Sequence, residues 1–218
     1  MPKVLISNTV VKGVETKRVE KRSETSLRER ILAAARELFY RDGIRAVSVD
    51  TVAAAARTNK MTLYRHFASK DALVSIYLKQ LAAEGDALWE TLRQEYPDDP
   101  QARLLGLLRR VSEFSDECSG RGCALANAAV ELAERGHPAR RIIEAHKRQQ
   151  RERLVRLCRD AGYARPQRLA DEIFLLLEGA RMSLQSVGKR GPGAHLFAMA
   201  SELLAAAPRR RSKSRSMQ

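Results

Sequence analysis

The chain has 218 residues, 44% of them apolar, enough for one compact domain or for a small module beside a larger one, and a formal net charge of +14 that favours a polyanionic partner. No apolar run reaches the roughly 18 residues that a bilayer span requires, and the N-terminal residues lack a continuous signal-peptide core. Three cysteines, Cys118, Cys123 and Cys158, fit no disulfide framework, so membrane-spanning and disulfide-stapled secreted classes are excluded and a reducing, cytoplasmic setting is expected.

Residues 1–24 mix valine, threonine and charge without an amphipathic period, and are expected to form a basic extension without fixed structure. Residues 1–25 carry six Lys/Arg against three Glu, and the tail, 208–218, carries five basic residues and no acid. Both ends therefore read as basic arms. A first helix is expected from Thr25 or Ser26 to Arg41, with Leu27, Ile31, Ala34, Ala35, Leu38 and Phe39 as its apolar stripe and Gly43 as a left-handed stop.

Residues 48–70, SVDTVAAAARTNKMTLYRHFASK, organise the rest. They read as two short helices joined by a tight turn. Ser48 is a natural cap for the first, whose alanine-rich body lets a second helix approach closely. Thr58 and Asn59 mark the start of the next helix. There the helical period sends Leu63 and Phe67 inward and leaves Lys60, Met61, Thr62, Tyr64, Arg65 and His66 outward. The outward set suits DNA: a lysine or arginine reaches phosphate or guanine, a threonine touches a thymine methyl, and a tyrosine donates to a phosphate oxygen. A solvated face on a small helical pair is the plainer reading. Ser69 then caps a further helix, with Asp71 in its first turn to complement the dipole.

Here the chain resembles a known family. TLYRHFASKDAL, residues 62–73, is similar to the TetR family of bacterial regulators, and RILAAARELF, residues 30–39, followed by Gly43, is similar to that family's first helix. The resemblance covers residues 26–75 and beyond that only an all-helical outline. It implies an all-α fold: an N-terminal helix-turn-helix DNA-binding domain at 25–85, and a C-terminal ligand-binding and dimerisation domain at 86–207, flanked by a basic flexible arm, 1–24, and a basic disordered tail, 208–218. By the same resemblance Lys60, Met61 and Thr62 match base-facing positions and Asp50 adds a contact. Ser48, Tyr64, His66 and Lys70 match phosphate-facing positions, and Asn59 and Arg65 belong to the same surface. One departure stands out. Arg57 and Thr58 occupy the turn where the family usually has a glycine and an apolar residue. Either the arginine is strained by about 1 kcal/mol or the turn has another shape.

The fourth helix keeps a three-four spacing through Leu73, Ile76, Tyr77, Leu81, Leu88, Leu92 and Tyr96, interrupted by Gly85, and joins the DNA module to the C-terminal helices. Asp99 and Pro100 open a fifth helix with Leu104, Leu105, Leu107, Leu108, Val111 and Phe114 apolar. After a turn at 119–122, a short helix is expected over 124–134. A long one comes next, over 139–161, with Ile142, Ala145, Gln149, Leu154, Leu157 and Cys158 inward, and with a solvated basic face carrying pairs such as Glu144 with Arg148. The last two helices, 169–187 and 194–206, are apolar on more than one side. Such helices are either central in a core or shared with a second subunit. The resemblance implies a homodimer through these two helices, a near-palindromic operator and a small-molecule effector held in residues 100–187. Candidate ligand contacts are Phe114, Asn127, Glu131, His146 and Glu178.

Cys123 with His137 or His146 and Glu131 holds the atoms of a nucleophile, base and orienting acid, but the spacing does not bring them together. Cys118 and Cys123, across a glycine turn, could form a thiol sensor. No His-x3-His or Cys-x2-Cys pair suggests a metal, and residues 188–193, GKRGPG, lack a preceding strand and read as a flexible connector rather than a phosphate loop. No cofactor and no enzymatic activity are expected. A sequence-indifferent architectural DNA-binding protein is the rival reading.

Overall fold

A computed structural model describes residues 12–117, 121–134 and 136–210, and of residues 12–26 and 114–117 the backbone alone. The order is α1 (Lys12–Asp42), α2 (Val49–Ala55), α3 (Lys60–His66), α4 (Lys70–Glu95), α5 (Pro100–Glu117), α6 (Ala124–Glu131), α7 (Pro138–Asp160), α8 (Pro166–Ser186), a 3-10 turn (Pro192–His195) and α9 (Leu196–Ala206). Among the described residues the only extended pairing is an isolated bridge between Tyr163 and Arg209. The fold is all-α, as expected. No described helix is long and apolar enough to cross a membrane. The chain divides into two compact units between Leu73 and Val74, inside α4; the expected boundary at 85–86 falls later in the same helix.

In the first unit, α1 packs on α2 and α2 on α3. Ile31, Leu32, Ala35, Leu38 and Phe39 of α1 are buried, as are Val49, Val52, Ala53, Leu63 and Phe67. Ala34 and Leu27 are half-buried. Gly43 takes φ 95°, the left-handed conformation that ends α1. The start of α1 corrects the expectation for 12–24, which are helical. Amphipathicity is not required for a helix rich in Lys, Arg and Glu, whose propensities are high and whose opposite charges recur three apart, as at Glu15 and Arg18. Residues 1–11, 118–120, 135 and 211–218 lie outside the described residues, and so do the expectations placed on them, among them the first half of the turn expected at 119–122.

In the second unit, Leu92, Leu104, Leu107, Leu108, Leu154, Leu157, Cys158, Ile173, Leu177 and Leu204 belong to one buried cluster. Asp99 caps α5 by accepting from Ala102 N at 2.8 Å. The inward face of α7 differs from the expected one. Ile143, His146 and Val155 are buried, whereas Ala145 and Gln149 are exposed and Ile142 is half-buried. Only the first half of the stripe is rotated by one residue, because a histidine, not an alanine, fills the space facing α4; Leu154, Leu157 and Cys158 are buried as expected. Gly85 makes that space: a Cβ there would lie 2.9 Å from His146 Cε1. Glu144 pairs with Arg140 at 3.1 Å rather than with Arg148. The same Arg140 shortens α6, which stops at Glu131 rather than Glu134. Its guanidinium donates to Ala129 O at 3.2 Å and Leu132 O at 2.9 Å, satisfying the last carbonyls of the helix. The glycine-rich connector is a packed turn, since a Cβ on Gly193 would sit 2.9 Å from Ala180 O. Residues 208–210, expected in a disordered tail, are instead tied down: Ala164 N donates to Pro208 O and Arg210 N to Gly162 O, each at 2.8 Å. The Arg209 guanidinium lies 3.9 Å from the centre of the Tyr163 ring, which completes this strap.

Candidate nucleic-acid interface

Two side-chain caps define the helix pair. Ser48 Oγ accepts from Thr51 N at 3.0 Å and opens α2, and Asn59 Oδ1 accepts from Thr62 N at 2.9 Å and opens α3. Each satisfies one of the free amides at a helix start, typically worth about 1 kcal/mol. Between them, Thr58 N donates to Ala53 O at 2.9 Å and Arg57 N to Ala54 O at 3.0 Å. That bonding is a Schellman closure, in which the residue after the cap must be left-handed. Arg57 is that residue, with φ 55°, alone among the described non-glycine residues. Of the two shapes open to this turn, the chain keeps the glycine-type one and strains an arginine to do so.

Leu63 is 0% and Phe67 2% exposed, and these two seat α3 on the unit's core. Burying a leucine or phenylalanine contributes roughly 1.5–3 kcal/mol. The Arg28 guanidinium lies 5.3 Å from the Phe67 ring centre. The opposite side of α3 presents Met61, 76% exposed, and Tyr64, 40% exposed. Lys60 and Arg65 are exposed, and Thr62 and His66 half-buried. Ser48 and Asn59 are exposed and already engaged as caps, so their contacts to a ligand would be made with remaining donors. Lys70, at the start of α4, is half-buried.

Among the predicted contacts the structure joins two. Lys60 Nζ lies 3.0 Å from Asp50 Oδ2 across α2 and α3, and the Asp50 carboxylate, by hydrogen bond and charge, holds the ammonium above its ordinary pKa. Sequence reasoning passed over Thr51, whose hydroxyl is 2.8 Å from that of Ser48. Its position three residues after the cap, on the same face of the first turn, was the available signal.

The candidate ligand residues are dispersed over α5, α6, α7 and α8. The Phe114 side chain and Cys118 lie outside the described residues. Asn127 Nδ2 donates to Arg121 O at 2.7 Å. Glu131 is half-buried. Glu178 accepts from Lys147 at 2.6 Å on both oxygens and from Arg181 at 2.9 Å. Burial raises its pKa, but Lys147 and Arg181 outweigh that and hold the carboxyl below its ordinary value. His146 is 8% exposed, with Nδ1 buried and lacking a hydrogen-bond partner. Burial pushes its pKa down, against the pull of Asp86. A cavity of about 240 Å³ opens elsewhere, between Tyr163, Arg165, Arg168, Glu172 and Leu203, and none of the five candidates lines it.

The cysteines are accounted for differently. Cys123 Sγ lies 3.7 Å from Lys147 Nζ. His137 instead caps α7, its Nδ1 accepting from Ala139 N at 3.1 Å. Burial pushes the Cys158 thiol up to about 12, which leaves it inert. Among the described residues no three His, Cys, Asp or Glu side chains are placed to hold a metal ion.

Comparison with known proteins bears on this surface. Residues 31–75 match the model of bacterial regulatory proteins of the tetR family, a span that takes in α2, α3 and the turn between them. The chain is 38% identical over 81 residues to the HTH-type transcriptional repressor Rv3405c of Mycobacterium tuberculosis, covering 37% of this chain and 42% of that one. It is 25% identical over 111 residues to the HTH-type transcriptional repressor DhaR of a Mycobacterium species, covering 51% and 54%. The chain thus spans about half the length of these curated relatives, or less. In structure it is similar to SCO4454, a TetR-family transcriptional regulator from Streptomyces coelicolor, with a TM-score of 0.79 at 25% identity over 83% of this chain and 95% of that one.

Proposed function

We propose, on the premise that this chain belongs to the TetR family of bacterial transcriptional regulators, that it is a cytoplasmic homodimeric repressor that reads a near-palindromic operator and is released by a small molecule. The observation that carries the DNA-reading role is the side of α3 opposite buried Leu63 and Phe67, where Lys60, Met61, Tyr64 and Arg65 are exposed and Thr62 and His66 half-buried. Lys60, Met61 and Thr62, with Asp50, face bases in this reading. Ser48, Asn59, Tyr64, Arg65, His66 and Lys70 meet the backbone or rim of the groove. Two such surfaces would enter successive major grooves roughly 34–36 Å apart.

Support for the dimer comes from the last two helices. Leu175 and Met182, seven residues apart on one face of α8, are 69% and 55% exposed, and Met199 of α9 is 47% exposed. Apolar side chains left open on one side suit a copy of themselves. Phe114, Asn127, Glu131, His146 and Glu178 remain the proposed surroundings of the effector. Ligand and operator then weaken one another equally, because a ligand shifts an equilibrium only by its differential affinity.

The test is selection of bound fragments from random duplex DNA, followed by gel retardation of the winning sequence against excess random competitor. A repressor retards one near-palindrome at competitor levels that remove everything else. Uniform loss of binding to all duplexes would instead establish the sequence-indifferent architectural protein. A second reading, response to oxidation, rests on Cys123 beside Lys147. It requires that peroxide release the operator and that Cys123→Ser abolish that release.

A further inference from the structure

We infer that Asp50 and Lys60 read one G·C base pair of each half-site as a unit, with Asp50 setting its orientation. The inference rests on the DNA-reading surface proposed above and deepens it. The two residues come from different helices, each fixed close by: α2 by the Ser48 cap and buried Val49 and Val52, α3 by the Asn59 cap and buried Leu63. Between them the ammonium and carboxylate are 3.0 Å apart, with side chains 52% and 63% exposed, so the pair is presented to a partner rather than spent on the fold.

An unpaired lysine at this place would be a mobile point charge, content with any phosphate or base acceptor. Asp50 removes that freedom. A carboxylate is repelled by phosphates, and in the major groove it finds donors only at cytosine N4 or adenine N6. Reading across the groove, a G·C pair offers the guanine N7 and O6 acceptors side by side and then the cytosine N4 donor. An A·T pair offers acceptor, donor, acceptor and a methyl group. An ammonium and a carboxylate held side by side match the first order: Lys60 on N7 and O6, Asp50 on N4. On A·T the acceptors are split by a donor and the methyl presses on the carboxylate. On the reversed C·G pair each charge meets its own kind, and T·A, which keeps one acceptor beside a donor, sets its methyl where Lys60 would take the second acceptor, N7. The charges also stay together as water leaves, so neither is desolvated without a partner.

The test is selection from random duplex DNA with the full chain, its Asp50→Ala and Lys60→Met variants and the double variant, each shown folded by circular dichroism. The expected result is that one and the same G·C pair per half-site loses its preference in both single variants, by about tenfold in relative affinity, while the other positions are retained. The double variant should lose no more than either single one, and Asp50→Glu should restore part of the preference. The inference is overturned if the two variants affect different base pairs, or if Asp50→Ala changes affinity for all duplexes alike. If the wild-type chain selects no sequence, the regulator reading fails and takes this inference with it. If it selects an operator that the variants select unchanged, the inference alone fails.

Discussion

Arg57 carries a cost that a glycine would not. Its φ of 55° is imposed by the two closing bonds from Thr58 and Arg57 to Ala53 and Ala54, and a side chain there is disfavoured by roughly 1–2 kcal/mol. A glycine loses part of that gain through its freer unfolded chain. Arg57→Gly is therefore expected to stabilise the fold by about 0.5–1 kcal/mol, seen as a higher urea midpoint at unchanged slope, and Arg57→Ala, which keeps the strain, should not. His146 makes a second residue-level claim. Its pKa lies below the ordinary 6.5 because burial disfavours the charged form; Asp86 opposes this, while Lys147, Arg153 and Arg181 add to it. The unfolded chain thus binds a proton at a pH where the folded one does not, so stability falls as pH drops below 6.5 toward the folded value. Urea unfolding followed from pH 7.5 to 5 should show that decline, and His146→Gln should flatten it. The Glu178 contribution has the same sign but begins only below its ordinary 4.5.

Helices declared themselves in the sequence where their signals are local. Ser48, Asn59, Ser69 and Asp99 were expected caps, and each accepts the amide three residues on. Where a boundary or a face depends on a neighbour, the expectation moved. The end of α6 is set by Arg140 of α7, and the buried side of α7 by an absent side chain on α4. Gly85 sits in the interior of a 26-residue helix, where it costs up to about 1 kcal/mol relative to alanine. It is retained at a contact where a Cβ would stand 2.9 Å from a His146 ring carbon. Gly85→Ala is expected to lose more by crowding the buried ring than it gains in propensity, a net destabilisation of about 1 kcal/mol. His146→Ala in the same chain should recover part of that loss, and a thermal-melt double-mutant cycle measures the coupling.

For the molecule as a whole, the decisive quantity is how many copies act together. Leu175, Met182 and Met199 are large apolar side chains open to solvent in one chain. In the proposed dimer they are covered. Leu175→Glu combined with Met182→Glu places like charges on that face and is expected to shift sedimentation from two copies toward one. Operator affinity should then fall by at least tenfold, because two half-sites can no longer be held together, while the monomer stays folded, since neither residue is in the buried cluster. A double variant that sediments as the wild type would place the dimer contact elsewhere.

Much of this chain is dictated by neighbours in sequence: all-α composition, the caps that open α2, α3, α4 and α5, the glycine that stops α1, and the outward set on α3. Those elements arise from periodicity and from hydrogen bonds that span three or four residues, which a linear reading captures. Contacts between residues ten to seventy apart in the chain do not. That Asp50 engages Lys60, that Lys147 holds Glu178 while Cys123 faces Lys147, and that Gly85 admits His146 depend on how helix surfaces interlock. The sequence names the partners, but packing chooses among them.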